Sequence, residues 1–195
     1  MHNDLPHWKN CYHYFRLWAK LGYWKQIHHT IRDMARLVVW KKAQTAAIID
    51  SQSVRAASQP GVRGDDAGKK VTGRKRPILV DTQGNILALK VTTADVQDRD
   101  GAKLLLNVLT VAFGWLMLIW ADGGYAGKLI EHVAEIPRHR RVELEIVPKR
   151  WIVERTFGWL IQSRRLVRDC EVKMEHSEAM IYLSMSKRML ARTNC

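Results

Sequence analysis

The stretch Ala46-Ala-Ile-Ile-Asp-Ser-Gln-Ser-Val54 is a run of apolar residues that ends in polar ones, with Asp50 at its centre. A short apolar run of this kind is typical of a buried β-strand. Burying the carboxylate of Asp50 is costly unless a partner offsets its charge, although a solvated strand end would tolerate it. The stretch therefore predicts a first core strand and marks Asp50 as a candidate site residue.

Further strands and helices are predicted on the C-terminal side of this strand. Strands are expected at 77–81, 86–92, 115–121 and 142–147, and helices from Asp98 or Asp100 to about 113, at 127–135, 150–168 and 177–191. Three strands in a meander, followed by alternating strands and helices, predict a mixed sheet covered on both faces. The fold class is therefore α/β with the element order of a ribonuclease H-like fold, over residues 43–195.

The N-terminal side is expected to form a small helical segment, residues 1–42, with helices at 10–21 and 24–39 joined at Gly22. Basic side chains on these helices, such as Arg16 and Arg32, would suit a helix-turn-helix that contacts DNA phosphates. Alternatively, the aromatic side chains of the segment pack it against the main domain. The sequence leaves both interpretations open.

The charge of the chain indicates its partner. Lys and Arg number 32 against 19 Asp and Glu, a net charge of +13, and a polyanion is the simplest partner for such an excess. Residues 104–121 carry no charge, but Asn107, Thr110 and Gly114 interrupt them, so we expect a helix end and a buried strand and no membrane span. Three cysteines without metal-ligand spacing, and no visible secretory signal, fit a reducing cytosol.

Two basic stretches are candidate DNA contacts. Residues 55–76 combine glycines and cations and predict a flexible loop along a phosphate backbone, although a solvated face explains them equally well. The helix at 150–168 carries five arginines, and its helical spacing places Glu154 on one stripe with Arg165 and Arg168. Alternatively, Glu154 has no functional role and forms only an ion pair with Arg150, four residues earlier on the helix. The candidate DNA-binding residues are Lys69, Lys70, Arg74, Lys75, Arg76, Arg150, Arg155, Arg164, Arg165 and Arg168.

Three acids define the predicted catalytic site. Asp122 ends the strand at 115–121, where Gly123-Gly124 requires a sharp turn. In a ribonuclease H-like fold the first strand, the end of the fourth strand and the start of a later helix meet, which would bring Asp50, Asp122 and Glu154 together. Converging carboxylates repel unless hard cations lie between them, so Mg²⁺ or Mn²⁺ is expected. Two such ions support in-line displacement at phosphorus by a water or a 3′-hydroxyl.

Several longer motifs resemble those of the DDE transposases of bacterial insertion sequences, in particular the insertion-sequence-five group of the insertion-sequence-four superfamily. The resemblance covers nearly the whole chain and lies in Leu5-Pro-His-Trp8, Tyr14-Phe-Arg-Leu-Trp18, Ile48-Ile-Asp-Ser-Gln-Ser-Val54, Gly73-Arg-Lys-Arg76, Val80-Asp-Thr82, Ala94-Asp-Val-Gln-Asp-Arg-Asp-Gly-Ala102, Ala121-Asp-Gly-Gly-Tyr125, Arg150-Trp-Ile-Val-Glu-Arg-Thr-Phe-Gly-Trp-Leu160 and Ser177-Glu-Ala-Met-Ile-Tyr182.

The resemblance implies that Asp50, Asp122 and Glu154 are the metal-binding catalytic acids. It implies Mg²⁺-dependent nicking of double-stranded DNA at terminal inverted repeats, strand transfer to a target, a dimer or larger assembly on DNA, and a place in the bacterial nucleoid. Arg150 matches the arginine four positions before the glutamate. This chain departs from the family at Val147, a tyrosine in relatives, and at Ile161, a lysine in relatives, whose role would pass to Arg164 or Arg165.

Two further hypotheses remain beside an active transposase. Relatives usually have a longer N-terminal region and a longer loop before the glutamate helix, so the chain could be a truncated, inactive remnant that binds DNA without cutting it. A host nuclease of the same fold would cut without requiring particular ends.

Overall fold

The computed structural model describes residues 5–39, 45–58, 61–107, 113–135, 142–147 and 151–193. Within them, a mixed sheet is flanked by helices, which confirms the predicted α/β class. The strands are β1 Ala46–Arg55, β2 Gly64–Asp66, β3 Val71–Asp81, β4 Ile86–Leu89, β5 Thr92–Thr93, β6 Leu118–Ala121 and β7 Glu143–Ile146. The helices are α1 Trp8–Leu21, α2 Tyr23–Val39, α3 Asp98–Leu106, α4 Lys128–Glu135, α5 Trp151–Ile161 and α6 Met174–Thr193, with 3-10 turns at Gly123–Tyr125 and Arg164–Leu166.

Strand β1 lies at the centre of the sheet. It pairs antiparallel with β3 on one side and parallel with β6 on the other, and β7 pairs parallel with the outer edge of β6. The short strands β2, β4 and β5 pair antiparallel with β3. A meander of antiparallel strands followed by two strands parallel to the first is compatible with the ribonuclease H-like fold.

Alternate residues of β1 point into two hydrophobic cores. Ala47 and Ile49 belong to the core that includes residues of α3 and α4, and Ile48 belongs to the core that includes residues of α5 and α6. Because successive side chains of a strand point to opposite faces, the even-numbered residues around Ile48 face α5 and α6. Asp50 therefore shares a face with Ile48.

The prediction of a flexible loop at 55–76 is wrong. β1 continues to Arg55 and pairs there with Gly73, near the start of β3. The glycines permit close packing here: a Cβ at Gly73 would lie 2.0 Å from the carbonyl oxygen of Val54, and one at Gly64 would lie 1.8 Å from Oδ1 of Asp95. Composition alone does not distinguish a glycine needed for close approach from one in a flexible chain.

The predicted helix at 150–168 is also too long. α5 ends at Ile161, where Gln162 and Ser163 donate backbone hydrogen bonds three residues back, and a 3-10 turn follows. Leu166 in that turn is buried. Arg165 and Arg168 therefore do not continue the helical stripe of Glu154.

The other predicted elements are confirmed, some with shorter and some with longer limits, since β3 begins at Val71 and α6 spans Met174–Thr193. The helix expected to reach about 113 ends at Leu106, and the strand expected from 115 begins at Leu118. Gln97 is the N-cap of α3, while Asp98 and Asp100 lie in its first turn. Among the described residues, none of the helices has the length and apolar character needed to cross a membrane.

The N-terminal helices pack on the sheet domain, as one of the two interpretations expected. Gly22 ends α1 with a left-handed conformation, φ 74°, and α2 then lies against α6. His28 and Arg32 on α2 are buried, and both reach the carbonyl oxygen of Ile86. The boundary expected between 42 and 43 lies outside the described residues.

Candidate active site

Asp50 lies in the middle of β1, and Asp122 directly follows β6, the parallel neighbour of β1. The parallel register pairs Ile48 with Trp120, and each aspartate lies two residues further along its strand direction. Because two residues are one full period of a strand, Asp50 shares the face of Ile48. The parallel pairing thus puts Asp50, in the middle of β1, near Asp122, which directly follows the last residue of β6.

Backbone amides orient both carboxylates. Oδ1 of Asp50 accepts a hydrogen bond from the Ser51 amide at 2.8 Å, and Oδ1 of Asp122 accepts one from the Gly124 amide at 2.9 Å. The 3-10 turn at Gly123–Tyr125 follows directly because the Tyr125 amide donates to the Asp122 carbonyl oxygen. The Gly-Gly pair thereby fixes the side chain of Asp122 at the strand end.

The pKa of the Tyr125 hydroxyl is affected by the negative charge of nearby carboxylates. Its side chain is 1% exposed, and burial raises the pKa of its hydroxyl above the ordinary value. The charges of Asp50, Asp98 and Asp122 raise this pKa further, while the neighbouring Ser51 hydroxyl lowers it. The three carboxylates therefore lie close enough to act on one hydroxyl, which stays protonated at neutral pH.

Asp98 is a site neighbour that the sequence analysis placed only at a helix start. It forms ion pairs with Lys75 at 2.9 Å and with Lys69 at 3.3 Å. Burial acts to raise its pKa, but the neighbouring Ser51 hydroxyl and the charges of Lys75 and Lys69 leave that pKa below the ordinary value. Nothing in the sequence pattern around Asp98 indicates its ion pairs with Lys75 and Lys69.

Lys75 links three elements inside the protein. Its ammonium group also pairs with Asp66 at 3.2 Å and donates to the Val96 carbonyl oxygen at 2.7 Å. A hydrogen bond from Ser53, with others from the Lys69 amide and Lys75, lowers the pKa of Asp66 to about 2. Lys75 thus holds β2, β3 and the start of α3 together.

Arg74 and Arg76 are buried on β3 and bind Asp169. Nη1 of Arg74 lies 3.0 Å from Oδ1 of Asp169, and Nη2 of Arg76 lies 3.8 Å from its Oδ2. Arg76 also donates to the Leu166 carbonyl oxygen. Arg74, Lys75 and Arg76 are therefore internal ion-pairing residues, and their prediction as DNA contacts is corrected: a charge this deep inside a protein needs a partner there.

The remaining predicted cations have different surroundings. Lys69, Lys70, Arg164, Arg165 and Arg168 are exposed. Of these, Lys69 pairs with Asp98 and Arg165 pairs with Glu171 at 2.8 Å. Arg155 is half-buried and stacks on the rings of Trp151 and Trp159, and Arg150 lies outside the described residues.

Glu154 lies in the first turn of α5, and its side chain is exposed. The helix begins four positions after Val147, whose amide donates to the Ala121 carbonyl oxygen. The next residues, Arg155 and Thr156, bond to carbonyl oxygens of the β3–β4 turn beside the start of β1. In the described part of the chain, no three His, Cys, Asp or Glu side chains are grouped to hold a metal, so the structure does not join Glu154 to the aspartate pair.

Two aspartates near each other on such a sheet suit a hard divalent cation and the chemistry of phosphodiester bonds. The comparison with known families agrees: residues 41–142, just over half of the 195 residues, match the family model described as Transposase DDE domain. The chain therefore belongs to the transposase DDE domain family. The matched segment contains both aspartates and ends before Glu154, and no curated protein matches the chain.

Proposed function

We propose that the chain is a metal-dependent DNA transposase of the insertion-sequence-five group, within the insertion-sequence-four superfamily. It would cleave phosphodiester bonds at the ends of an insertion sequence and transfer the strands to a target. The observation that supports the proposal is that β1, which contains Asp50, pairs in parallel with β6, which Asp122 follows, within the segment that matches the family.

The aspartate pair fits a hard divalent cation. Carboxylate oxygens are the ligands that Mg²⁺ and Mn²⁺ prefer. The two acids also concentrate negative charge near the buried Tyr125, and a cation would offset that charge. We propose Asp50 and Asp122 as metal ligands and Glu154 as the third catalytic acid. When bound, such ions activate a water or a 3′-hydroxyl and stabilise the leaving oxygen.

Exposed cations would hold the DNA while the acids act. Lys69 lies beside β1 next to Asp50, since its ammonium group donates to the Ser51 carbonyl oxygen at 3.4 Å. Arg164 and Arg168 are exposed and form no ion pair in the described part of the chain. The proposed contacts are Lys69, Lys70, Arg150, Arg155, Arg164, Arg165 and Arg168, with double-stranded terminal repeats and target DNA as partners. Joining two ends requires a dimer or larger assembly, at the bacterial nucleoid.

The proposal is tested with the variants Asp50→Ala, Asp122→Ala and Glu154→Ala. Each should lower Mg²⁺-dependent nicking of a labelled terminal-repeat duplex by at least about a hundredfold, because each removes charge stabilisation from the reacting phosphate. DNA retention in a gel shift should stay intact. Glu143→Ala is the matched control, since Glu143 is an exposed acid on β7, and it should cut normally.

The outcomes separate the alternatives. Full nicking by either aspartate variant contradicts the site, while full nicking by Glu154→Ala alone removes only the third acid. An inactive DNA-binding remnant would retain the duplex without nicking it, even as the unmodified chain with Mg²⁺. A host nuclease would cut a duplex with scrambled ends equally well.

A further inference from the structure

Trp159 on α5 is surrounded by guanidinium groups from two helices. The Cζ atoms of Arg155, Arg188 and Arg192 lie 4.7, 4.0 and 5.8 Å from the centre of its ring. Guanidinium groups at such distances are attracted to the face of an indole. The indole therefore gathers three cations, one from α5 and two from the end of α6, into one place.

These three arginines have no acid to neutralise them within ion-pairing distance in the described residues. Burial lowers the pKa of Arg188, and the charges of Arg192 and Arg155 lower it further. Asp81 acts on Arg155 at longer range, but its carboxylate is fully buried and bonded to Asn85. The Nε atoms of Arg155 and Arg188 are buried without a hydrogen-bond acceptor in the same part of the chain. Arg155 and Arg188 donate to neutral oxygens of Gln83 and Gln162, so no acid of the described residues neutralises the positive charge of the cluster.

A pocket of about 340 Å³ opens beside the cluster. Besides Trp159 and the two arginines of α6, its lining includes Lys187, Ser163 and Ser184. Cations and hydroxyl donors around a small open pocket suit an oxyanion. Ser163 directly precedes the exposed Arg164, so the basic surface continues from the pocket.

We propose that Arg155, Arg188 and Arg192, gathered on Trp159, form a binding site for the phosphodiester backbone of DNA. The inference rests on the proposed function and adds two arginines of α6 to the DNA-contacting surface. Bound phosphate groups would supply the negative charge that the cluster lacks. A backbone fits better than a small free anion because the site is open and continues into the exposed cations after α5.

The test is duplex DNA binding by the full chain in EDTA, over a series of salt concentrations. Each phosphate contact adds about 0.9 to the slope of log affinity against log salt, so Arg188→Gln/Arg192→Gln should make that slope less steep by about 2. Lys90→Gln/Lys103→Gln removes the same charge, but these lysines already pair with Glu178 and Asp100. That control should leave the slope unchanged.

Two further variants separate binding from folding. Arg188→Lys/Arg192→Lys keeps the charge and should restore most of the slope, which a purely structural role of the stack would not do. Arg192→Gln alone changes an exposed residue and should reduce the slope by about 1. An unchanged slope in both glutamine variants overturns the inference, whereas failure of the unmodified chain to bind any duplex overturns the proposed function itself.

Discussion

Two groups of cations in this protein have opposite surroundings. Arg74, Lys75 and Arg76 on β3 are at most 5% exposed, and each reaches an acid inside the protein. Arg164 and Arg168, in and after the 3-10 turn that follows α5, are exposed. In sequence both groups are short basic runs, yet only the second is available to a polyanion.

The difference between the two groups is whether an acid from a distant part of the chain packs against the cations. Asp169 follows Arg74 by 95 positions and is 3% exposed beneath it, so the acceptor of the β3 arginines is supplied by the chain after α5. A buried cation is tolerated only with such a partner. A basic run therefore indicates a DNA-binding surface only when no distant acid folds against it.

The largest effect on stability should follow from Asp169→Ala. This change leaves two buried guanidinium groups without their acid and also removes the acceptor of the Ser177 hydroxyl. Breaking a buried pair on one side typically costs about 3–5 kcal/mol in the free energy of unfolding. Urea unfolding measures the loss. Lys103→Ala, which breaks an exposed pair with Asp100, is the control and should cost less than about 1 kcal/mol. Equal losses would contradict a stabilising role for Asp169.

The fold was predictable where hydrophobic pattern decides it. The apolar run before Asp50, the break at Gly22 and the strand before Asp122 all form the expected elements. The structure between Arg55 and Val71 was not predictable from the sequence, because the glycines there allow both a loop and close strand packing. Those two outcomes differ only through contacts with distant residues such as Asp95.

The site was predictable only in part. Asp50 and Asp122 each follow an apolar run, and they come near each other because the two strands formed by these runs pair in parallel. Asp98 and Asp169 had no such signal, since their partners are 23 and 95 positions away, at Lys75 and Arg74. For Asp169 a clue existed in the excess of cations on a strand with both faces covered, which requires a buried acid.

A smaller effect on the free energy of unfolding is expected from a buried histidine of the N-terminal helices. His28 on α2 is buried against Ile86 and Ser186, and burial lowers its pKa to about 4 despite the Ile86 hydrogen bond. The imidazole of His28 takes up a proton near pH 6.5 in the unfolded chain but only near pH 4 in the folded one. The free energy of unfolding is therefore undiminished above pH 6.5 and falls as the pH drops towards 4. The loss for His28 is up to about 3 kcal/mol.

Urea unfolding at a series of pH values measures this loss. His29, whose pKa burial lowers to about 3, acts in the same direction. In a His28→Gln variant the free energy of unfolding should fall less between pH 6.5 and 4 than in the unmodified chain. His13→Gln on α1 alters an exposed ring and should leave the pH dependence unchanged. An identical pH profile for the His28 variant would contradict a buried neutral imidazole at the α2 interface.

The smallest effect on stability should come from the exposed cations. Arg164→Gln/Arg168→Gln should change the free energy of unfolding by less than about 0.5 kcal/mol, because neither side chain is buried. If both contact phosphates, the slope of log DNA affinity against log salt should become less steep by about 2. Duplex binding in EDTA and urea unfolding measure the two quantities on the same variant. A large loss of stability with an unchanged salt slope would reverse the contrast, since these arginines would then behave as the buried cations of β3 do.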